Sequence, residues 1–247
     1  MRTLLKLTWV ELKLFAREPI TVIFTLALPL MFLFVMGEVF GRNPADPDVF
    51  RGVGAMDYYT PAYIGLVLAA IGVIALPAHL ASYRERGMLR RLRASSVLVW
   101  SVLGSQVLVT FVIAVLCTAL LFFAAMLAYD VQVPRSAILL VAAFVLSTLS
   151  FAALGVLLGA VLPTARAAQG VGILLFFAML FLSGTAPPRE VMTQTMQWVG
   201  EAMPLWHVVT LLQDPWLGFG WNTVEFLVVA GVMVAAGAIS VRAFRWE

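Results

Sequence analysis

Apolar residues in this chain come in long blocks, each closed by a short polar stretch. A helix that crosses a hydrocarbon layer about 30 Å thick needs roughly 20 predominantly apolar residues. Blocks close to that length recur at 19–40, 61–81, within 97–129, between 137 and 162, at 167–183 and at 224–241. Prolines punctuate them: Pro19 at a start, Pro29 where an interior would bend, Pro77 near an end and Pro163 at a close. The pattern predicts an all-α integral membrane fold of six transmembrane helices, with a polar loop over 42–59 between the first two.

Three stretches depart from this block pattern. In the first, Arg2, Lys6, Lys13 and Arg17 fall on a helical stripe about 60° wide at about 100° per residue, while Leu4, Leu5, Leu7, Trp9, Leu12, Leu14 and Phe15 cover most of the rest. Residues 1–18 are therefore expected to form an amphipathic interfacial helix, its apolar face in acyl chains and its cations near anionic phosphates. In the second, residues 184–223 mix Pro187, Pro188, Pro204 and Pro215 with Trp198, Trp206, Trp216 and Trp221. Such Trp-rich pieces sit at a membrane interface or re-enter it part way, so a re-entrant outer hairpin is expected between spans five and six. The third is the loop 82–96, whose arginines Arg84, Arg86, Arg90, Arg91 and Arg93 are joined by one acid, Glu85, and cannot lie in lipid. The chain thus divides into the interfacial helix 1–18 and a six-span transmembrane domain 19–247.

Composition agrees with lipid as the main solvent. Hydrophobic residues make up 62% of the chain and charged residues 12%, whereas a soluble domain is about half apolar and about a quarter charged. The net charge of +3 does not imply a nucleic-acid partner, because the cations are scattered between apolar blocks instead of forming one face. They sort by side when the spans alternate. Arg2, Lys6, Lys13, Arg17, Arg84, Arg86, Arg90, Arg91, Arg93, Arg166, Arg242 and Arg245 collect on one side, and only Arg42, Arg51, Arg135 and Arg189 on the other. The positive-inside rule then places both termini in the cytoplasm, with the chain in the plasma membrane. The opening block, followed by Gly37-Glu38-Val39-Phe40-Gly41, lacks a small-x-small cleavage site and reads as a retained span.

Little catalytic chemistry is present. A phosphate-cradling loop needs a lysine after glycines, and the two lysines, Lys6 and Lys13, follow no glycine. ATP hydrolysis would have to occur on another chain. The histidines His79 and His207 lie far apart, so a metal site shared between them is not expected, and His79 reads as a satisfied helix-end residue. Cys117 has no cysteine to pair with. An ion-coupled carrier would place acids near span centres, whereas Glu38 and Glu225 fall near span ends. A membrane-embedded lipid-modifying enzyme would need clustered carboxylates or histidines at one interface. Its candidates, Asp46, Asp48 and Asp57, have no His or Lys beside them. Gly155 and Gly159 form a GxxxG pair suited to close helix packing.

The charge cluster admits two readings on its residues alone. A positive-inside anchor needs only the arginines; an amphipathic docking segment would also use Glu85, Gly87 and the apolar Met88, Leu89 and Leu92. The series Glu11-Leu12-Lys13-Leu14-Phe15-Ala16-Arg17-Glu18-Pro19, then Gly37-Glu38-Val39-Phe40-Gly41, then Tyr83-Arg84-Glu85-Arg86-Gly87-Met88-Leu89-Arg90-Arg91-Leu92-Arg93, resembles the permease subunits of type-2 ABC exporters. Pro163 with Ala168-Gln169, and Phe181-Leu182-Ser183-Gly184 leading to Pro204-Leu205, extend the resemblance in the same order. Met88 stands where the family usually has Thr, and Ser95-Ser96 where Thr-Pro is common.

The resemblance implies a dimer of six-span permeases, alike or different, each bound to an ATP-binding cassette subunit that carries the ATP and Mg. It implies an ATPase-coupling role for Glu11, Arg17, Glu18, Arg84, Glu85, Arg86, Gly87, Leu89, Arg90, Arg91 and Leu92. Spans bearing Phe24, Phe32, Phe176, Phe177 and Phe181, without central charge, suit a lipophilic cargo such as a drug, antibiotic or lipid; those rings would equally suit contact with membrane lipid.

Overall fold

A computed structural model describes residues 2–17, 19–40, 49–88 and 99–243. Every regular element among them is helical. In chain order they are α1 (Arg2–Ala16), α2 (Pro19–Phe40), α3 (Ala55–Glu85), α4 (Val99–Tyr129), α5 (Ala137–Val161), α6 (Ala165–Leu182), a 3₁₀ turn (Arg189–Val191), α7 (Gln194–Glu201), α8 (Pro204–Leu217) and α9 (Thr223–Ala243). Among the described residues five helices are long and apolar enough to cross a membrane: α3, α4 over Ser101–Tyr129, α5, α6 and α9. In α2 the stretch Pro29–Phe40 is a shorter apolar helix. Large apolar side chains such as Leu127 on α4 and Ile138 on α5, 89% and 84% exposed, face outward. Lipid is the solvent that makes such exposure favourable.

α3 begins six residues before the expected start and runs past residue 81 to Glu85, so residues 55–59 are helix and not loop. Pro61 lies inside this helix and its missing N–H leaves the first turns short of one bond. Side chains hold the carbonyls on either side of the one that loses its donor, that of Asp57: Thr60 Oγ1 donates to the Met56 carbonyl (2.6 Å), and Gln213 Nε2 to the Tyr58 carbonyl (3.0 Å), which ties this turn to α8. Pro77 has a larger effect. Its ring meets the carbonyl one turn back, that of Val73, and the helix accommodates this by widening to a π segment over Ala70–Ala75.

The π segment is packed where small residues allow close approach. A Cβ at Gly155 on α5 would overlap the Gly72 carbonyl oxygen, and one at Gly172 on α6 would overlap the Val73 carbonyl oxygen. Gly159 lies against Leu80 and Pro77, one turn along. α5 is the central helix and also packs along α9, α8 and α4; α8 lies on α3, and α1 along α4. Leu205, Val208, Val209, Leu211 and Leu212 are buried, so α8 is inserted among the long helices and does not lie on their surface.

Candidate functional site

Two ends of the bundle carry its polar chemistry, the end where α1 lies and the opposite end. At the α1 end, Glu11 sits about 150° from the centre of the cation stripe of its helix and is buried at 8% exposure. Its Oε2 meets His79 Nε2 at 3.2 Å, and Tyr83 Oη donates to its Oε1. Both partners lie one turn apart on α3, so a single carboxylate ties α1 to that helix. Burial pushes the Glu11 carboxyl up, but the bonds from His79 and Tyr83 and the His79 charge outweigh it and hold the group below its usual value.

The last turn of α3 reaches two further helices. Arg84 Nη1 donates to the Ala160 carbonyl (2.7 Å) and Nη2 to that of Leu162, while Glu85 Oε1 accepts from the Ala165 N–H (3.1 Å). Arg86 is exposed, and Gly87 follows with a φ of +63° that ends the helix. The charge cluster is therefore not one continuous helical face: Gly87 divides Arg84 and Glu85 from Met88 and the arginines beyond it. Among the described residues no atom lies within 4 Å of the place of a Gly87 Cβ, and the left-handed backbone is the reason for glycine there. Arg17, Arg86 and Arg166 are exposed. Glu18, Leu89, Arg90, Arg91 and Leu92 lie outside the described residues.

At the opposite end the segment between α6 and α9 is held by three charged groups. Arg189 donates to the Ser183 carbonyl (3.1 Å), the Trp206 carbonyl (2.5 Å) and Thr210 Oγ1, and lies over the Trp206 ring at 4.1 Å. Burial pulls its guanidinium down to about 10, still protonated at neutral pH. Arg51 pairs with Asp214 (2.8 Å), whose other oxygen accepts from Asn222 (2.9 Å). His207 bridges Glu225 (2.5 Å) and the Glu201 carbonyl (2.8 Å). The bond to Glu225 raises the His207 pKa, burial opposes this, and the Glu201 carbonyl and the Glu225 charge add to the rise.

Sequence reasoning missed these pairs, because most join different elements and meet only when the helices pack. Only Glu11 left a signal, as an acid opposite the cation stripe. Asp57, a candidate for lipid chemistry, lies in the first turn of α3 and not in a loop, and its Oδ1 accepts the Gln132 N–H (2.9 Å); Asp46 and Asp48 lie outside the described residues. The candidate pathway rings diverge. Phe176 is buried, Phe177 and Phe181 are 47% and 54% exposed on α6, and Phe32 is half-buried against Tyr63. The Phe24 side chain is outside the described set.

The chain is similar over most of its length to a Bacillus subtilis (strain 168) protein named "Putative transport permease YvfS". The two are 24% identical over 208 residues, covering 84% of this chain and 82% of that one. The family profile of the ABC-2 type transporters matches residues 2–215, from α1 through most of α8. With its bundle of long apolar helices, this chain is a membrane protein that belongs to the ABC-2 type transporter family.

Proposed function

We propose that this chain is the transmembrane permease subunit of an ATP-driven exporter, moving a lipophilic drug, antibiotic or lipid out of the cytoplasm. Two permease chains pair, identical or not, and each engages a separate ATP-binding cassette subunit that carries ATP and Mg. In this reading α2 is a sixth span, both termini are cytoplasmic, the chain resides in the plasma membrane, α1 lies in the cytoplasmic interface, and 184–223 is the outer re-entrant segment.

The observation that carries the reading is the construction of the α1 end. α1, the last turn of α3 and the junction between α5 and α6 are joined there by Glu11, Arg84 and Glu85. An ATP-binding partner pressing on this end would move several spans together. The exposed Arg17 and Arg86, with the charged residues beyond Gly87, offer the polar contacts a cytoplasmic partner needs. Both lysines lie on α1, away from any glycine loop, so the chain brings no phosphate cradle of its own. Phe177 and Phe181 occupy the exposed face of α6, where cargo or a second permease chain would pass; buried Phe176 instead packs inside.

Purification from native membranes in mild detergent tests the proposal. An ATP-binding chain is expected to co-elute in equal amount with this one. Elution of this chain alone from every mild detergent would end the exporter reading.

A further inference from the structure

Arg84 and Glu85 are neighbours at the end of α3, and their side chains grip the two sides of one short junction. The last carbonyls of a helix and its first N–H groups lack partners inside the helix. Arg84 supplies donors to the Ala160 and Leu162 carbonyls at the end of α5, and Glu85 supplies an acceptor to the Ala165 N–H at the start of α6. The signs match the helix ends: a cation at the carbonyl end and an anion at the amide end. Above this junction, Gly155, Gly159 and Gly172 bring α5 and α6 against the backbone of α3 too closely for the helices to slide. Below it, Gly87 turns the chain away and leaves Arg86 exposed.

We propose that Arg84 and Glu85 are positioning residues forming a clasp. They bind α3 to the junction of α5 and α6, so that a push on the loop after α3 reaches both spans at once, and they make no contact with an ATP-binding partner. The inference rests on the proposed function and separates two roles within one charge cluster: Arg84 and Glu85 transmit, while Arg86 and the residues beyond Gly87 dock.

The test uses the complete chain with its ATP-binding subunit. Cys117→Ala removes the native thiol, Gln169→Cys places a thiol on the exposed first turns of α6 at the α1 end, and a maleimide reports its reactivity with and without ATP and vanadate. Arg84→Ala and Glu85→Ala should retain the bound subunit yet reduce the nucleotide effect on labelling about tenfold, as expected for loss of charge-assisted hydrogen bonds. Arg84→Lys, which still reaches one carbonyl, should restore part of it and separates the role from simple misfolding. Arg86→Ala should shed the subunit. A full nucleotide effect in Arg84→Ala, or loss of the subunit from it, overturns the clasp and leaves the exporter reading intact. Absence of any ATP-binding subunit from the unaltered chain overturns both.

Discussion

A carbonyl oxygen only accepts, so His207 must carry a proton on Nε2 to bond Glu201, and a second proton must lie between Nδ1 and the Glu225 carboxyl. The pair thus holds a proton that a neutral imidazole and a free carboxylate would not share. Charges facing it are the Glu225 carboxylate on α9 and, opposing, the Arg189 guanidinium from the turn before α7. Because the folded pKa lies above the ordinary 6.5, the stabilisation is fully present below that value and is lost as pH rises through the raised one. The melting midpoint of the detergent-solubilised chain should fall as pH rises past this value. His207→Gln should flatten that dependence, and an equal fall in the variant would remove His207 as its source. At this scale the sequence was partly legible. The family resemblance singled out Glu11 and Arg84, but nothing local marked Glu11 for His79 and Tyr83 or Arg84 for the Ala160 and Leu162 carbonyls, because those partners come together only when the helices pack.

Among elements, α3 departs most from the hydropathy pattern. Hydropathy locates its apolar centre but not its ends, because the polar residues of its first and last turns read as loop. Pro61 reads as a boundary, yet it lies inside the helix; Pro77, expected within the span near its end, lies inside as well, where a π segment absorbs it. The GxxxG spacing on α5 was visible; its partner was not, since nothing in the sequence marks the Gly72 carbonyl as the surface it meets. Gly155→Ala should cost about 1–3 kcal/mol, the range for overpacking a filled interior. Gly155→Leu should prevent accumulation of folded protein. Alanine at Gly231, where nothing lies within 4 Å, should be tolerated at either assay, membrane yield or thermal stability. Because Gly→Ala by itself raises helix propensity, equal losses at Gly155 and Gly231 would show that close approach to α3 does not set the cost.

For the whole molecule, burial and charge divide the labour between the two ends. The α1 end joins four helices through Glu11, Arg84 and Glu85 and leaves Arg17, Arg86 and Arg166 exposed. The opposite end is tied internally by Arg189, Arg51 and His207. Apolar block lengths made the membrane class and the long helices readable in advance, because the bilayer imposes its thickness on the sequence. The insertion of α8 among the long helices was hidden, since a buried amphipathic helix and one at an interface share the same Trp and Pro content. The decisive experiment is ATP hydrolysis by the purified chain, before and after the proposed ATP-binding subunit is added. The chain alone should hydrolyse no ATP, whereas the complex should show vanadate-sensitive hydrolysis that falls when Arg86 is replaced by alanine. Hydrolysis by the isolated chain, or a complex whose rate ignores this chain entirely, would overturn the proposed division between permease and ATPase.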